Sequence, residues 1–234
     1  MELTAQEFVS ALRQRRSETE RAKIQRRYRG PESEIVGVRM KDVFDSAASC
    51  ADMSLAEVEK LLDAPFYEAR LGAVSILDFK ARRKRITEEE RRGLYELYLR
   101  RHDRIDSWDL VDRAAPRVVG WYLLDKPRDP LYALARSSNV LERRTAITAA
   151  FWLIRNGDIT DALNIAEILL GDEEELIHKS VGTGLREIGK IDQDRLVDFL
   201  REHADTIPRV TVRYASEKLP AEVRAEFVRQ PDPR

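Results

Sequence analysis

An all-α fold, built as a stack of two-helix units, is predicted by three observations. Of 234 residues, 35% are charged and 7% aromatic, with ten glycines, a balance typical of a soluble, mostly helical chain. Apolar residues recur at helical spacing over most of the length, with helix-start signals between the runs. Similar short segments also return at near-regular intervals, the mark of a repeat architecture.

Taken in order, Thr4 caps a first helix that turns Phe8 and Leu12 inward, and Ser17 restarts it toward Tyr28 before Gly30-Pro31 breaks it. Residues 35–49 form a second apolar-periodic stretch containing Val36, Val38, Met40, Val43 and Phe44. Ser54 to Glu57 and Thr87 to Glu90 have the spacing of capping boxes and open two further helices. Between them Pro65 launches a helix from Phe66 to about Lys80, with Tyr67, Leu71, Val74, Ile76 and Leu77 available for the core. Ser107 reads as the N-cap of the next helix, and Asp109 and Asp112 meet the positive end of its dipole. Pro116 should kink or split the segment that continues through Trp121, and Pro127 and Pro130 close it.

The recurring segments are 69–73, 111–115, 143–147, 178–182 and 212–216. Their polar anchors, Arg70, Asp112, Arg144, Lys179 and Arg213, are separated by 42, 32, 35 and 34 residues. These intervals suit HEAT-like helical repeats, whose two-helix units bury their apolar faces only by stacking on neighbours. The expected product is an α-solenoid with a concave inner face, in one domain covering residues 1–234. With the superposed helices on the inside, Arg70, Arg144, Lys179 and Arg213 line that face, and Asp112 is the one acid among bases.

Several functional classes are disfavoured. The single Cys50 permits no intramolecular disulfide framework, and neither a long apolar span nor a cleavable leader stands out, so a cytoplasmic, membrane-free protein is expected. Three scattered histidines have no zinc spacing, and no metal or other cofactor is expected. The formal net charge of −1 is unusual for a nucleic-acid binder, but charge is unevenly spread. Arg13, Arg15, Arg16, Arg21, Lys23, Arg26, Arg27 and Arg29 crowd the first thirty residues, and a second basic run covers Lys80 to Arg85. Such runs serve either as solvated helix faces or as a phosphate-facing side.

Trp108 and Asp112 lie four residues apart and project from one helix face. One reading gives the tryptophan to the core and the aspartate to the helix end or to a salt bridge between repeats. The other makes Asp112 a carboxylate held ionised among cations, beside a ring that attracts positive charge through its π-face.

The sequence Ser-Trp-Asp-Leu-Val-Asp at 107–112, followed by Asn139 to Ile147 and by Gly182 to Glu187, resembles the AlkD-type DNA alkylation repair glycosylases, which are built from HEAT-like repeats. The resemblance extends over most of the chain. It implies a monomeric enzyme acting on double-stranded DNA that contains N3- or N7-alkylated purines, with Trp108 and Asp112 cleaving the N-glycosidic bond and Arg144 holding the backbone. It also implies a reaction without metal and without turning the damaged base into a pocket, unlike most glycosylases. Lys179, Arg213 and Arg70 are the further DNA contacts expected from the repeats, and Tyr28 lies near the place of the family's N-terminal tyrosine. Thr183 stands where better-known members carry a tryptophan. A catalytically silent DNA-binding solenoid and a protein-binding scaffold are the alternatives.

Overall fold

The computed structural model describes residues 4–228, and over these residues the protein is all-α, with fourteen α-helices and no strand. They fall into two compact units divided between Tyr122 and Leu123. The first contains α1 (Ala5–Gln14), α2 (Glu18–Gln25), α3 (Met40–Ser49), α4 (Leu55–Asp63), α5 (Tyr67–Ala81), α6 (Glu88–Arg100) and α7 (Trp108–Ala115). Helices α3, α5 and α7 lie side by side in one layer, while α1, α4 and α6 form a second layer that packs against α5. Helix α5 is the centre of this unit, with thirteen of its fifteen residues buried. Gly72 makes the packing possible, because a Cβ there would stand 2.4 Å from the ring of Phe8 on α1.

Local chemistry explains the helix starts. Thr4 and Thr87 make complete capping boxes with Glu7 and Glu90, as their spacing predicts. Ser54 makes half of one: it accepts from the Glu57 amide, while the Glu57 carboxylate accepts the Ala5 amide of α1 at 2.8 Å. That side chain joins two helices instead of closing its own.

Two expectations are corrected. Residues 35–39 are not helical, and α3 begins only at Met40. The amides of Val36, Gly37 and Val38 donate to the buried carboxylate of Glu68 on α5 at 3.0, 2.7 and 3.1 Å, and Gly37 has a φ of 93°. Amides committed sideways and a left-handed residue are incompatible with a helix. Pro130 stands in the first turn of α8 (Asp129–Ala135), where its missing N–H costs nothing, so it opens a helix rather than closing one. Pro116 splits its segment as expected: α7 ends at Ala115, and the chain widens into a π-turn over Pro116–Gly120.

The second unit contains α8, α9 (Val140–Arg155), α10 (Thr160–Ile168), α11 (Glu175–Gly189), α12 (Gln193–Glu202), α13 (Arg209–Ala215) and α14 (Ala221–Val228). Helices α9, α11 and α13 form its main layer; α8 and α10 pack against α9, α10 and α12 against α11, and α14 against α13. The closest approach explains Gly182, where a Cβ would lie 2.7 Å from the Thr211 carbonyl oxygen. The five superposed segments fall on α5, α7, α9, α11 and α13, with only Ser216 beyond the end of its helix. This alternation of helices is the organisation of a helical-repeat protein. No described helix is long and apolar enough to cross a membrane.

Candidate active site

Helix α7 begins without an ordinary cap. Ser107 has extended cap geometry, but its hydroxyl does not accept a helix amide; it donates to Asp109 Oδ1. The other Asp109 oxygen accepts the hydroxyl of Tyr67, reaching across from α5. Tyr67 is 1% exposed, and a phenol in a core needs such a partner. Burial, reinforced by the Asp109 charge and hydrogen bond, pushes the Tyr67 hydroxyl above its ordinary pKa, so it stays a donor.

The other flank of the turn is held by Arg70 of α5. Its Nε lies 3.2 Å from Asp106 Oδ1 and its Nη2 2.9 Å from Asp106 Oδ2. The same guanidinium reaches Glu34 at 2.6 Å, the Tyr28 hydroxyl at 2.6 Å and the Ala64 carbonyl at 3.3 Å. Tyr28 donates to Glu34 at 2.5 Å and places its ring 4.7 Å from that of Tyr67. Burial would raise the Glu34 carboxyl, but hydrogen bonds from Tyr28 and Arg70 win and hold it below the usual range. Burial, with the hydrogen bond to Glu34, pushes Tyr28 up.

Between these two anchored carboxylates Trp108 stands 41% exposed. One turn on, Asp112 is exposed, while Leu110, Val111, Ala114 and Ala115 seat the opposite face of α7 in the core. Arg113, next to Asp112, turns into the protein. Its Nε donates to Ser75 at 3.1 Å, its Nη2 lies 3.2 Å from Asp78, and its guanidinium carbon is 4.5 and 4.8 Å from the ring centres of Phe44 and Phe79. Arg82 and Arg117 meet the same buried Asp78 at 2.5 and 3.3 Å. Burial lowers the Arg113 pKa against the pull of Asp78. The result is an exposed indole and an exposed carboxylate on one well-seated turn. Such a pair can lay a π-face on a sugar or cation and stabilise positive charge that develops in a reaction.

The other expected site residues have different placements. Arg70 does not line an exposed face: it is 1% exposed, and its donors are spent on Glu34, Asp106, Tyr28 and Ala64. Tyr28 is half-buried in that same cluster, so the structure brings Tyr28 and Arg70 together inside the first unit. In the second unit Arg144 is 7% exposed, with Nη1 donating to the Leu176 carbonyl at 2.9 Å. Lys179 is partly exposed and pairs with Glu175 at 2.6 Å. Arg213 is exposed, 5.5 Å from the ring centre of Tyr214. The Thr183 hydroxyl donates to the Lys179 carbonyl at 2.9 Å.

Sequence reasoning did not assign Tyr67, Asp106, Asp109 or Glu34 to the site, and it gave Asp109 only to the helix dipole. Helical spacing sent Tyr67 to the core, which is correct for the ring and silent about the hydroxyl. The available signal was chemical: a tyrosine assigned to the core must find an acceptor for its hydroxyl. Among the described residues, no three His, Cys, Asp or Glu side chains gather as a metal site requires.

A family model described as DNA alkylation repair enzyme matches residues 9–219. Comparison with curated proteins gives no match.

Proposed function

The chain belongs to the DNA alkylation repair enzyme family, and from that premise we propose that it is a DNA glycosylase that releases cationic N3- and N7-alkylated purines from duplex DNA by hydrolysing the N-glycosidic bond. The observation that carries this reading is the exposure of Trp108 and Asp112 on one turn of α7, where the neighbouring large side chains, Tyr67, Leu110 and Val111, are buried. The family match runs through both units, which supports reading residues 1–234 as one repair domain.

Alkylation at N3 or N7 puts a positive charge on the purine, so the base leaves with the C1′–N bonding pair as a neutral molecule and needs no strong general acid. What must be stabilised is the sugar. As the bond lengthens, C1′ gains oxocarbenium character, which the Asp112 carboxylate stabilises electrostatically. A water then bonds to C1′ and gives its proton to Asp112. The Trp108 ring supplies a face for the deoxyribose and its growing charge, worth on the order of 1–2 kcal/mol when desolvated. Lys179 and Arg213 suit phosphate contacts, and Arg144 would meet phosphate from a guanidinium fixed by the Leu176 carbonyl.

The test is single-turnover base release from defined duplexes. Wild-type protein should free N7-methylguanine and N3-methyladenine and leave uracil in place, since a neutral base departs only with a donated proton. Asp112→Asn should keep the fold and DNA binding but lose about 10²–10³ in rate. DNA binding without base release by the wild type would make the protein a silent binder, and release at the wild-type rate by Asp112→Asn would remove the aspartate from the chemistry.

A further inference from the structure

The first turn of α7 is anchored from below and on both sides of Trp108, by bonds that are not those of its own helix. We propose that Tyr67 and Arg70 of α5 are positioning residues that fix the Trp108–Asp112 pair, Tyr67 acting through Asp109 and Arg70 through Asp106. The inference rests on the glycosylase reading and names how the site is held.

Three observations support it. The serine in the cap position of α7 does not cap, so the helix start lacks the local bond that usually defines where a first turn begins. In its place Asp109 uses both oxygens: one takes the Ser107 hydroxyl and so ties residues 107 and 109 around Trp108, and the other takes the Tyr67 hydroxyl 42 residues away. On the preceding side, Arg70 grips both oxygens of Asp106 and is itself immobilised, 1% exposed, by Glu34, Tyr28 and the Ala64 carbonyl. A first turn without its own cap bond would otherwise sample several helix-end conformations. Here the backbone on either side of Trp108 is tied to the central helix of the unit.

Rotation of that turn would move Trp108 and Asp112 together, because they share one face of the same helix. A group misplaced by about 1 Å costs up to roughly 10²-fold in rate even when the chemistry is untouched. Arg70 is also why a cation that the repeats place among DNA contacts is enclosed: it works on the site from behind, through Asp106.

Tyr67→Phe removes one oxygen and leaves the ring in its buried place. At a temperature well below the melting point of both proteins, the single-turnover rate should fall roughly 10-fold to 100-fold, with the dissociation constant for undamaged duplex within twofold of wild type. In a Trp108→Ala background the same change should cost clearly less than it does in the wild type, since only Asp112 is left to place, and this non-additivity is what a purely structural tyrosine would not produce. A second readout does not need activity. In protein carrying Trp121→Phe and Trp152→Phe, the fluorescence anisotropy of Trp108 should drop when Tyr67→Phe or Asp109→Asn is added. Unchanged anisotropy overturns the proposal whether or not the wild type releases a base. Full activity of Tyr67→Phe, or a loss that simply adds to that of Trp108→Ala, overturns it in an active enzyme. Absence of base release by the wild type, with the anisotropy drop present, strikes the glycosylase reading alone.

Discussion

Glu34 accepts two donors at once, the Tyr28 hydroxyl and the Arg70 guanidinium, and is therefore the residue through which acid should reach the candidate site. Its carboxyl lies below the ordinary value of 4.5, so the folded protein favours the charged form. The stabilisation is complete above that ordinary value and is lost as pH falls through the lowered one. Wild type should be more stable than Glu34→Gln by about 1 kcal/mol at neutral pH, a modest figure because the side chain is partly exposed. Thermal melts between pH 7 and pH 3 should show the gap closing below pH 4.5; a constant gap would mean that another group titrates. This cluster also marks where reading residues one at a time failed. Trp108 and Asp112 were legible because they share a helix face four residues apart, a local relation. Arg70 had the right type at the right repeat position, yet its neighbours Glu34, Asp106 and Tyr28 come from distant parts of the sequence, and only the fold shows that they enclose it.

Helices were the most legible elements, since periodicity and caps are local. Thr4 and Thr87 start helices with full capping boxes, and the five recurring segments fall on alternate helices. The failures have a common cause in long-range bonding. Residues 35–39 carry an apolar pattern, but Val36, Gly37 and Val38 give their amides to Glu68, and Glu57 leaves its own cap for Ala5 of α1. The recurring segments also contain a packing requirement that the repeat alone only hints at. Gly182 of α11 lies against α13 so closely that a Cβ would meet Tyr214 Cβ at 2.6 Å and the Thr211 carbonyl oxygen at 2.7 Å. Backbone and Cβ atoms cannot swing aside as a side-chain tip can. Gly182→Ala should therefore force α11 and α13 apart and cost about 1–3 kcal/mol, measured by urea or thermal unfolding, despite alanine's better helix propensity. A stabilised variant would show that the two helices separate freely.

Over the whole molecule, 41 basic and 42 acidic residues nearly cancel, so any attraction to DNA must come from how charge is distributed. Both basic runs of the sequence hold paired cations, and both hold exposed ones that pair with no carboxylate among the described residues, Lys84 and Arg85 in the run at 80–85. In the run at 80–85, Arg82 is bound to Asp78 and Arg83 to Asp52. In the N-terminal run, Arg21 pairs with Glu32 and Lys23 with Glu20, but Arg16, Arg26 and Arg29 are exposed and pair with no carboxylate among the described residues. Unpaired exposed guanidiniums can neutralise phosphates and release condensed counterions, whereas paired ones would first have to give up a partner. Replacing Arg16, Arg26 and Arg29 together with alanine should flatten the plot of log affinity against log salt by about 0.9 for each phosphate that is no longer neutralised. Affinity should fall equally for alkylated and undamaged duplex, because phosphate binding carries no lesion information. With duplex saturating, the single-turnover rate should stay within twofold of wild type, since none of the three touches Trp108 or Asp112. Fluorescence titrations at several salt concentrations, paired with base-release measurements, read both quantities. An unchanged salt slope would move the DNA-binding face away from the N-terminal arginines, and a weakening confined to alkylated duplex would make them part of lesion recognition.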